Sequence, residues 1–192
     1  LGIQFQDVKP YIDVAGSPEN RTVSIKLPPG AGFLYEARLA FLAQCTVAAA
    51  DLDKPTAVDI IRELSWEVNG QPIIHKTKNA LLAQLKTWQG ETMRTHAFRY
   101  ASMLKPSTER TAVGGVDTEF LCYLPLLDSF LTKVEKALLL NQVKEVNLRI
   151  TFDTQAASGL TNPITGISTT LECQTYMPKL SVYQEMVSKD WS

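Results

Sequence analysis

The sequence is short of nearly everything that marks a reactive or membrane-spanning protein. It holds two histidines, three cysteines and three tryptophans in 192 residues, and 19 Lys and Arg stand against 20 Asp and Glu for a formal net charge of -1. That balance leaves no global field for nucleic acid or anionic lipid, and no polybasic arm supplies a local one. The densest basic run, His75-Lys-Thr-Lys78, reads as a solvated loop or helix start. No apolar run approaches the roughly 20 residues that a spanning helix needs, and no signal peptide is visible. The chain opens on Leu1 rather than Met, which leaves a processed end or an upstream segment open. Charged residues are 20% of the chain and hydrophobic ones 45%, fewer charges than the surface of a free monomer usually carries. Part of the surface is therefore expected to lie against partners.

The scarcity extends to chemistry. His75 and His96 fall in different elements without a His-x-x-x-His spacing, and a zinc site would need Cys45, Cys122 or Cys173 to leave apolar strand positions. Three cysteines make no disulfide framework. They read as buried thiols in a protein assembled in a reducing compartment. No serine stands in Gly-x-Ser-x-Gly, and Gly114-Gly115 lacks the glycine order, helix and lysine of a phosphate loop. Asp51, Asp53 and Asp59 surround a loop without the glycine and closing glutamate of a calcium hand, so they read as a polar turn. Glu63 and Glu67 share a strand face and imitate a glycosidase pair, whose carboxyls stand about 5–9 Å apart. Their plainer reading is a solvated or interfacial face. Asn20-Arg-Thr22 is a formal glycosylation acceptor and, without a secretory signal, reads as chance. No catalytic residue, cofactor or metal is assigned.

What the sequence does have is alternation. Val23, Ile25 and Leu27 oppose Thr22, Ser24 and Lys26, and the same period runs through Leu39, Phe41, Ala43, Cys45 and Val47 in a long strand over 33–50. Leu64/Trp66/Val68, Phe120/Cys122/Leu124 and Val146/Leu148/Ile150/Phe152 repeat it. Such strands bury their apolar edges in two packed sheets or a closed barrel. Asn69-Gly70 predicts a hairpin returning through 71–76, and Pro28-Pro29-Gly30 closes the first strand. Helical spacing appears in Leu81, Leu82, Leu85 and Trp88, and again over 126–139 in Leu127, Phe130, Leu131, Val134 and Leu138. The second helix is expected to close the barrel end. Residues 95–103 read as extended, 105–115 as an exposed loop, 159–166 as a loop and 169–176 as the last strand. Residues 1–20, broken by Pro10 and Gly16-Ser-Pro18, read as an extended N-terminal arm beside one domain over 21–192. The fold class is thus all-β, an eight-stranded jelly-roll sandwich with two short helices.

Three stretches add a family likeness. Val23-Ser-Ile-Lys-Leu-Pro-Pro-Gly30, the strand and hairpin from Ile61 to Gly70, and Asn147-Leu-Arg-Ile-Thr-Phe-Asp153 with Gln155-Ala-Ala-Ser158 resemble the PM2-like major capsid proteins of tailless icosahedral bacteriophages with an internal membrane. The resemblance implies upright jelly rolls, two in one chain or one in each of several chains. This chain has room for one, as a single-barrel subunit or as the first barrel of a longer protein. It implies a structural capsid protein that self-assembles, alone or with a paralogue, into an icosahedral shell. The implied partners are copies of itself or a related capsid subunit, with penton or membrane-associated virion proteins. Neither direct nucleic-acid contact nor more than indirect membrane contact is expected, and the place is the virion, assembled in the host cytoplasm. Contacts are expected from Arg38, Leu42, Glu63, Glu67 and Arg149 and from the arm over 3–12, where Phe5, Val8, Tyr11 and Ile12 would be buried against a neighbour. The alternative is a carbohydrate-binding jelly-roll surface or spike module, with Tyr100, Tyr123 or Tyr176 as its aromatic platform.

Overall fold

The computed structural model describes residues 2–10, 16–27, 32–46, 57–87, 117–126, 128, 138–140, 143–159 and 161–177. They form strands β1 (Gly2–Val8), β2 (Thr22–Lys26), β3 (Phe33–Thr46), β4 (Ile61–Val68), β5 (Gln71–Thr77), β6 (Asp117–Pro125), β7 (Leu138–Leu139), β8 (Val146–Phe152) and β9 (Ile164–Met177). Helix α1 (Lys78–Thr87) follows β5, and α2 (Gln155–Ser158) follows β8. The first sheet has the order β1-β9-β3-β6, with β7 pairing β3 beyond the end of β6, and the second has the order β2-β8-β4-β5.

These orders describe one long hairpin wrapped into a barrel. Setting aside the two-residue β7, the outermost strands of the chain pair with each other (β1 with β9), then β2 with β8, β3 with β6, and β4 with β5 across the tip. Rolling that hairpin adds two lateral pairings, β9 with β3 and β8 with β4, and every one of the six is antiparallel. The result is the jelly roll.

Alternation decides which residues go inside. In β2 the pattern is strictly exposed and buried in turn, with Val23 and Ile25 buried. Leu39, Phe41 and Ala43 from β3 meet Leu64 and Trp66 from β4 and Leu148, Ile150 and Phe152 from β8 in one core. Phe41 and Phe152 join the two sheets edge to face, with ring centroids 6.0 Å apart and planes at 77°. At the tip, Asn69 (φ 51°) and Gly70 (φ 77°) both sit in the left-handed region, the geometry of the primed hairpin turn that this pair specifies. The Asn69 Oδ1 also accepts from the backbone N–H groups of Lys144 (2.8 Å) and Glu145 (3.2 Å), tying the tip to the approach into β8.

Two expectations change. The arm is in large part a strand: Gly2–Val8 pairs with β9 along its whole length, from Gly2 opposite Met177 to Val8 opposite Leu171. The fourteen-residue β9 would otherwise present a long unpaired edge, and Pro10 falls beyond the paired segment rather than inside it. The helix expected over 126–139 is also altered where its residues are described. Leu126 continues the line of β6 by donating to the Ala37 carbonyl at 3.0 Å, and Leu138–Leu139 pair with Leu34 and Phe33 as β7. A sheet edge needing apolar partners overrides helical spacing there. Residues 127 and 129–137 lie outside the described residues, as do 28–30 and the expectations over 95–103 and 105–115. The second short helix is α2, opened by the Thr154 hydroxyl accepting from Ala157 N–H (3.2 Å) and ended by Gly159 at φ 69°. The last strand starts at Ile164, earlier than 169.

The basic run His75-Lys-Thr-Lys78 is built into the barrel rather than simply solvated. Lys76 reaches the Asp128 carboxylate and donates to Gln84 Oε1 at 2.6 Å, while Trp66 Nε1 donates to the other Asp128 oxygen at 2.9 Å. The Asp128 side chain is 1% exposed. Lys78 donates to Asp153 (3.1 Å) and to the carbonyls of Asp59 (2.7 Å) and Ala157 (2.9 Å), clamping three connections at one end.

Two outcomes follow from this packing. Asp128→Ala leaves a lysine and an indole N–H without their acceptor and is expected to cost about 3 kcal/mol in urea unfolding, the lower end for a broken buried pair because Lys76 retains some access to water. An unchanged midpoint would refute the clasp. Deleting residues 1–8 uncovers the edge of β9 and is expected to lower the melting temperature and promote aggregation, read by circular dichroism and light scattering. A deletion that stays monodisperse with wild-type melting would return this segment to the status of a free arm.

Candidate interaction surfaces

The outer faces of the two sheets differ in chemistry, and the register explains how. Across the second sheet, one row is Thr22, Thr151, Glu63 and Thr77, the next is Ser24, Arg149, Ser65 and His75, and a third contains Lys26, Asn147 and Glu67. Charges there are matched locally. Arg149 binds Glu67 at 3.0 Å, Lys26 binds Glu145 at 3.1 Å, and Glu63 has Arg62 at 4.0 Å and His75 Nε2 at 3.8 Å. Thr22 and Thr151 share a hydroxyl hydrogen bond of 3.0 Å. Glu63 and Glu67, the imitation of a glycosidase pair, thus each face a cationic side chain.

Across the first sheet one row carries both signs, Asp7, Glu172, Arg38 and Pro125, while other rows place the exposed Glu36 opposite Gln174 and Glu119 opposite Gln44. Arg38 pairs with Glu172 and lays its guanidinium over the Tyr123 ring, 4.7 Å from the centroid. Further along β3 on the same face stands Leu42, 40% exposed, beside Ser168 of β9. Tyr176 at the end of β9 is 39% exposed. Ile73, at 48%, is the remaining large exposed hydrophobic among the described residues. It occupies the bulge of edge strand β5, where the register skips between Pro72 and Ile74, and bulges at edges discourage strand addition.

No protein-family model matches the chain, and no curated protein matches it in sequence. Solved structures do match in shape. PBCV-1 VP54, in a crystal structure fitted into a reconstruction of the virophage Sputnik, aligns over 98% of this chain and 45% of its own length at a TM-score of 0.71 and 12% identity. The Faustovirus major capsid protein aligns over 97% of this chain and 56% of its own at 0.61 and 12% identity. The mavirus major capsid protein aligns over 93% and 47% at 0.60 and 13% identity. This chain has the fold of a viral capsid jelly roll. It spans about half the length of these neighbours.

Among the described residues, those weighed for chemistry are dispersed. His75 lies on β5, while His96, Asp51, Asp53, Tyr100, Tyr11 and Ile12 lie outside the described residues. Asp59 sits in the turn before β4, where its carbonyl receives Lys78. Among the described residues no three His, Cys, Asp or Glu side chains gather as a metal cluster, and no helix is long and apolar enough to cross a membrane. Asn20 stands in an exposed turn at φ 55° and accepts from Arg62 at 3.1 Å. The Arg38, Tyr123 and Glu172 cluster escaped sequence reasoning because its members come from three strands distant in sequence, β6 pairing β3 in the hairpin and β9 pairing it only through the roll.

Cys122 and Cys173 are buried free thiols. Burial pushes the Cys122 thiol well up from its ordinary value, and Cys173 is pushed up to about 11 by burial first and then by the Asp7 carboxylate. A raised folded value stabilises the protein while both states hold the proton and loses that contribution as the unfolded thiol ionises. Stability should therefore fall from about pH 9 to pH 11, by up to ~1.4 kcal/mol per pH unit for each thiol. A Cys122→Ala/Cys173→Ala variant is expected to show a shallower alkaline fall in urea midpoint than wild type, and parallel curves would refute the assignment.

Proposed function

We propose that this chain, as one jelly-roll domain, is a structural subunit of an icosahedral virion shell and not an enzyme. The observation that carries the reading is the wrapped-hairpin jelly roll, which viral major capsid proteins match in shape over nearly the whole chain. The subunit tiles by packing side by side with copies of itself or a related barrel. A second barrel of similar size comes from a longer chain or from another subunit, in keeping with the half-length match. Penton and membrane-associated virion proteins would then be neighbours, membrane contact would be indirect, and assembly would take place in the host cytoplasm before residence in the virion. The carbohydrate-binding alternative draws less support, since the Tyr123 ring is already covered by Arg38.

Assembly decides the reading. Purified protein at rising concentration is expected to form capsomer-sized oligomers or shells in light scattering and electron microscopy. A chain that stays monomeric at high concentration while binding on a glycan array would replace the shell reading with the carbohydrate module.

A further inference from the structure

We propose that the outer face of the first sheet is a self-complementary docking face for a second copy of this chain, the two related by a two-fold axis that runs parallel to the strands above the gap between β9 and β3. The proposal rests on the shell-subunit reading and adds which face joins two copies and in what orientation.

The charge row gives the orientation. Its order across the sheet is Asp7, Glu172, Arg38 and Pro125, acidic on the β1 and β9 side and cationic at β3. A two-fold parallel to the strands keeps each residue's height and reverses the strand order, so Glu172 of one copy meets Arg38 of the other. The two Arg38–Glu172 pairs then form an alternating four-charge network. Both signs on one patch are what an isologous contact requires. Arg38 is already held by Glu172 and stacked on Tyr123, so little side-chain freedom is lost on docking.

Shape agrees with charge. The same rotation sets Leu42 of each copy over β9 of the other, at the level of Ser168. Ser168 and Thr170 on that stretch are small and Ala40 beside Leu42 adds no bulk, while the Gln44 side chain lies against Gly166 at the margin. An exposed Leu about 13 Å along the same strand face from a fixed Arg, with Tyr123 between them, gives an apolar centre with a polar border. The face is wide enough. Strands of 7, 14, 14 and 9 residues, at about 3.3 Å per residue and about 4.8 Å apart, give roughly 700 Å², close to the share each partner contributes to a standard interface. The second sheet offers no equivalent of Leu42, since its exposed large hydrophobic among the described residues, Ile73, sits in the bulge of edge strand β5.

The test is sedimentation equilibrium on the full chain, with circular dichroism confirming the fold of each variant. Leu42→Glu and Arg38→Glu are each expected to weaken dimerisation at least about ten-fold. Arg38→Glu/Glu172→Arg, which reverses the row and keeps its complementarity, is expected to restore it. Ser24→Glu on the opposite sheet is expected to change nothing. If Arg38→Glu does not fold, Leu42→Glu and Leu42→Arg decide alone. Wild type that associates with no loss in the folded Leu42 variants, or that loses association in Ser24→Glu, overturns this face while the shell reading stands. A wild-type dimer that the charge reversal fails to restore overturns the orientation. Wild type that is monomeric throughout overturns the proposal, and the particle assay then decides the shell reading separately.

Discussion

The structure depends on the pairing of β3 with β9. These are its two fourteen-residue strands, they lie at opposite ends of the chain, and they are hydrogen-bonded from Phe33 opposite Tyr176 to Cys45 opposite Ile164. On one side β9 takes up β1, and on the other β3 takes up β6 and β7. The inward residues Leu39, Phe41, Ala43, Leu171 and Cys173 supply the floor on which the second sheet rests. Without this ladder the first sheet separates into two narrow ribbons, neither wide enough to cover Trp66, Leu148 or Phe152.

Polar contacts fix what the apolar core leaves undetermined. Hydrophobic burial is non-directional, so it sets which face of each strand turns inward but says little about how the connections cross the ends. Those are set by acceptors held in place: Asp128 for Trp66 and Lys76, Asp153 with two carbonyls for Lys78, and the Asn69 amide for the chain entering β8. Each is a local bond between segments distant in sequence. Together they hold the barrel ends while the outer faces remain free to differ, one matched in charge and one with an exposed leucine.

Much of the barrel was legible because its determinants are local. Alternation identified β2, β4 and β8, and Asn69-Gly70 identified the hairpin, since two left-handed residues in succession are a property of that dipeptide. The strand β1 was hidden by the breaks that follow it at Pro10 and Gly16, and by a partner at the far end of the chain. Lys76 and Lys78 read as solvated because their acceptors, Asp128 and Asp153, stand 52 and 75 residues away. The candidate surface was half visible. Arg38 and Leu42 stood out as outward residues on a strand, but Tyr123 joined them through the distant pairing of β6 with β3 and Glu172 only when the hairpin rolled. Glu63, Glu67 and Arg149 were equally outward by pattern, and Glu67 pairs with Arg149 as Glu172 pairs with Arg38, so it is the exposed Leu42 that separates the two faces.

The wrapped hairpin also sets a timetable for biosynthesis. Strand β3 is complete at Thr46, but β9 begins only at Ile164, and at ribosomal rates of about 5–20 residues per second the interval is roughly 6–24 s. Strand β1 waits longer still, for the far end of β9. Throughout that interval the nascent chain holds apolar strands whose final partners do not yet exist. Closure of the first sheet therefore waits until β9 has been made, and until then the unpaired apolar strands are open to mispairing.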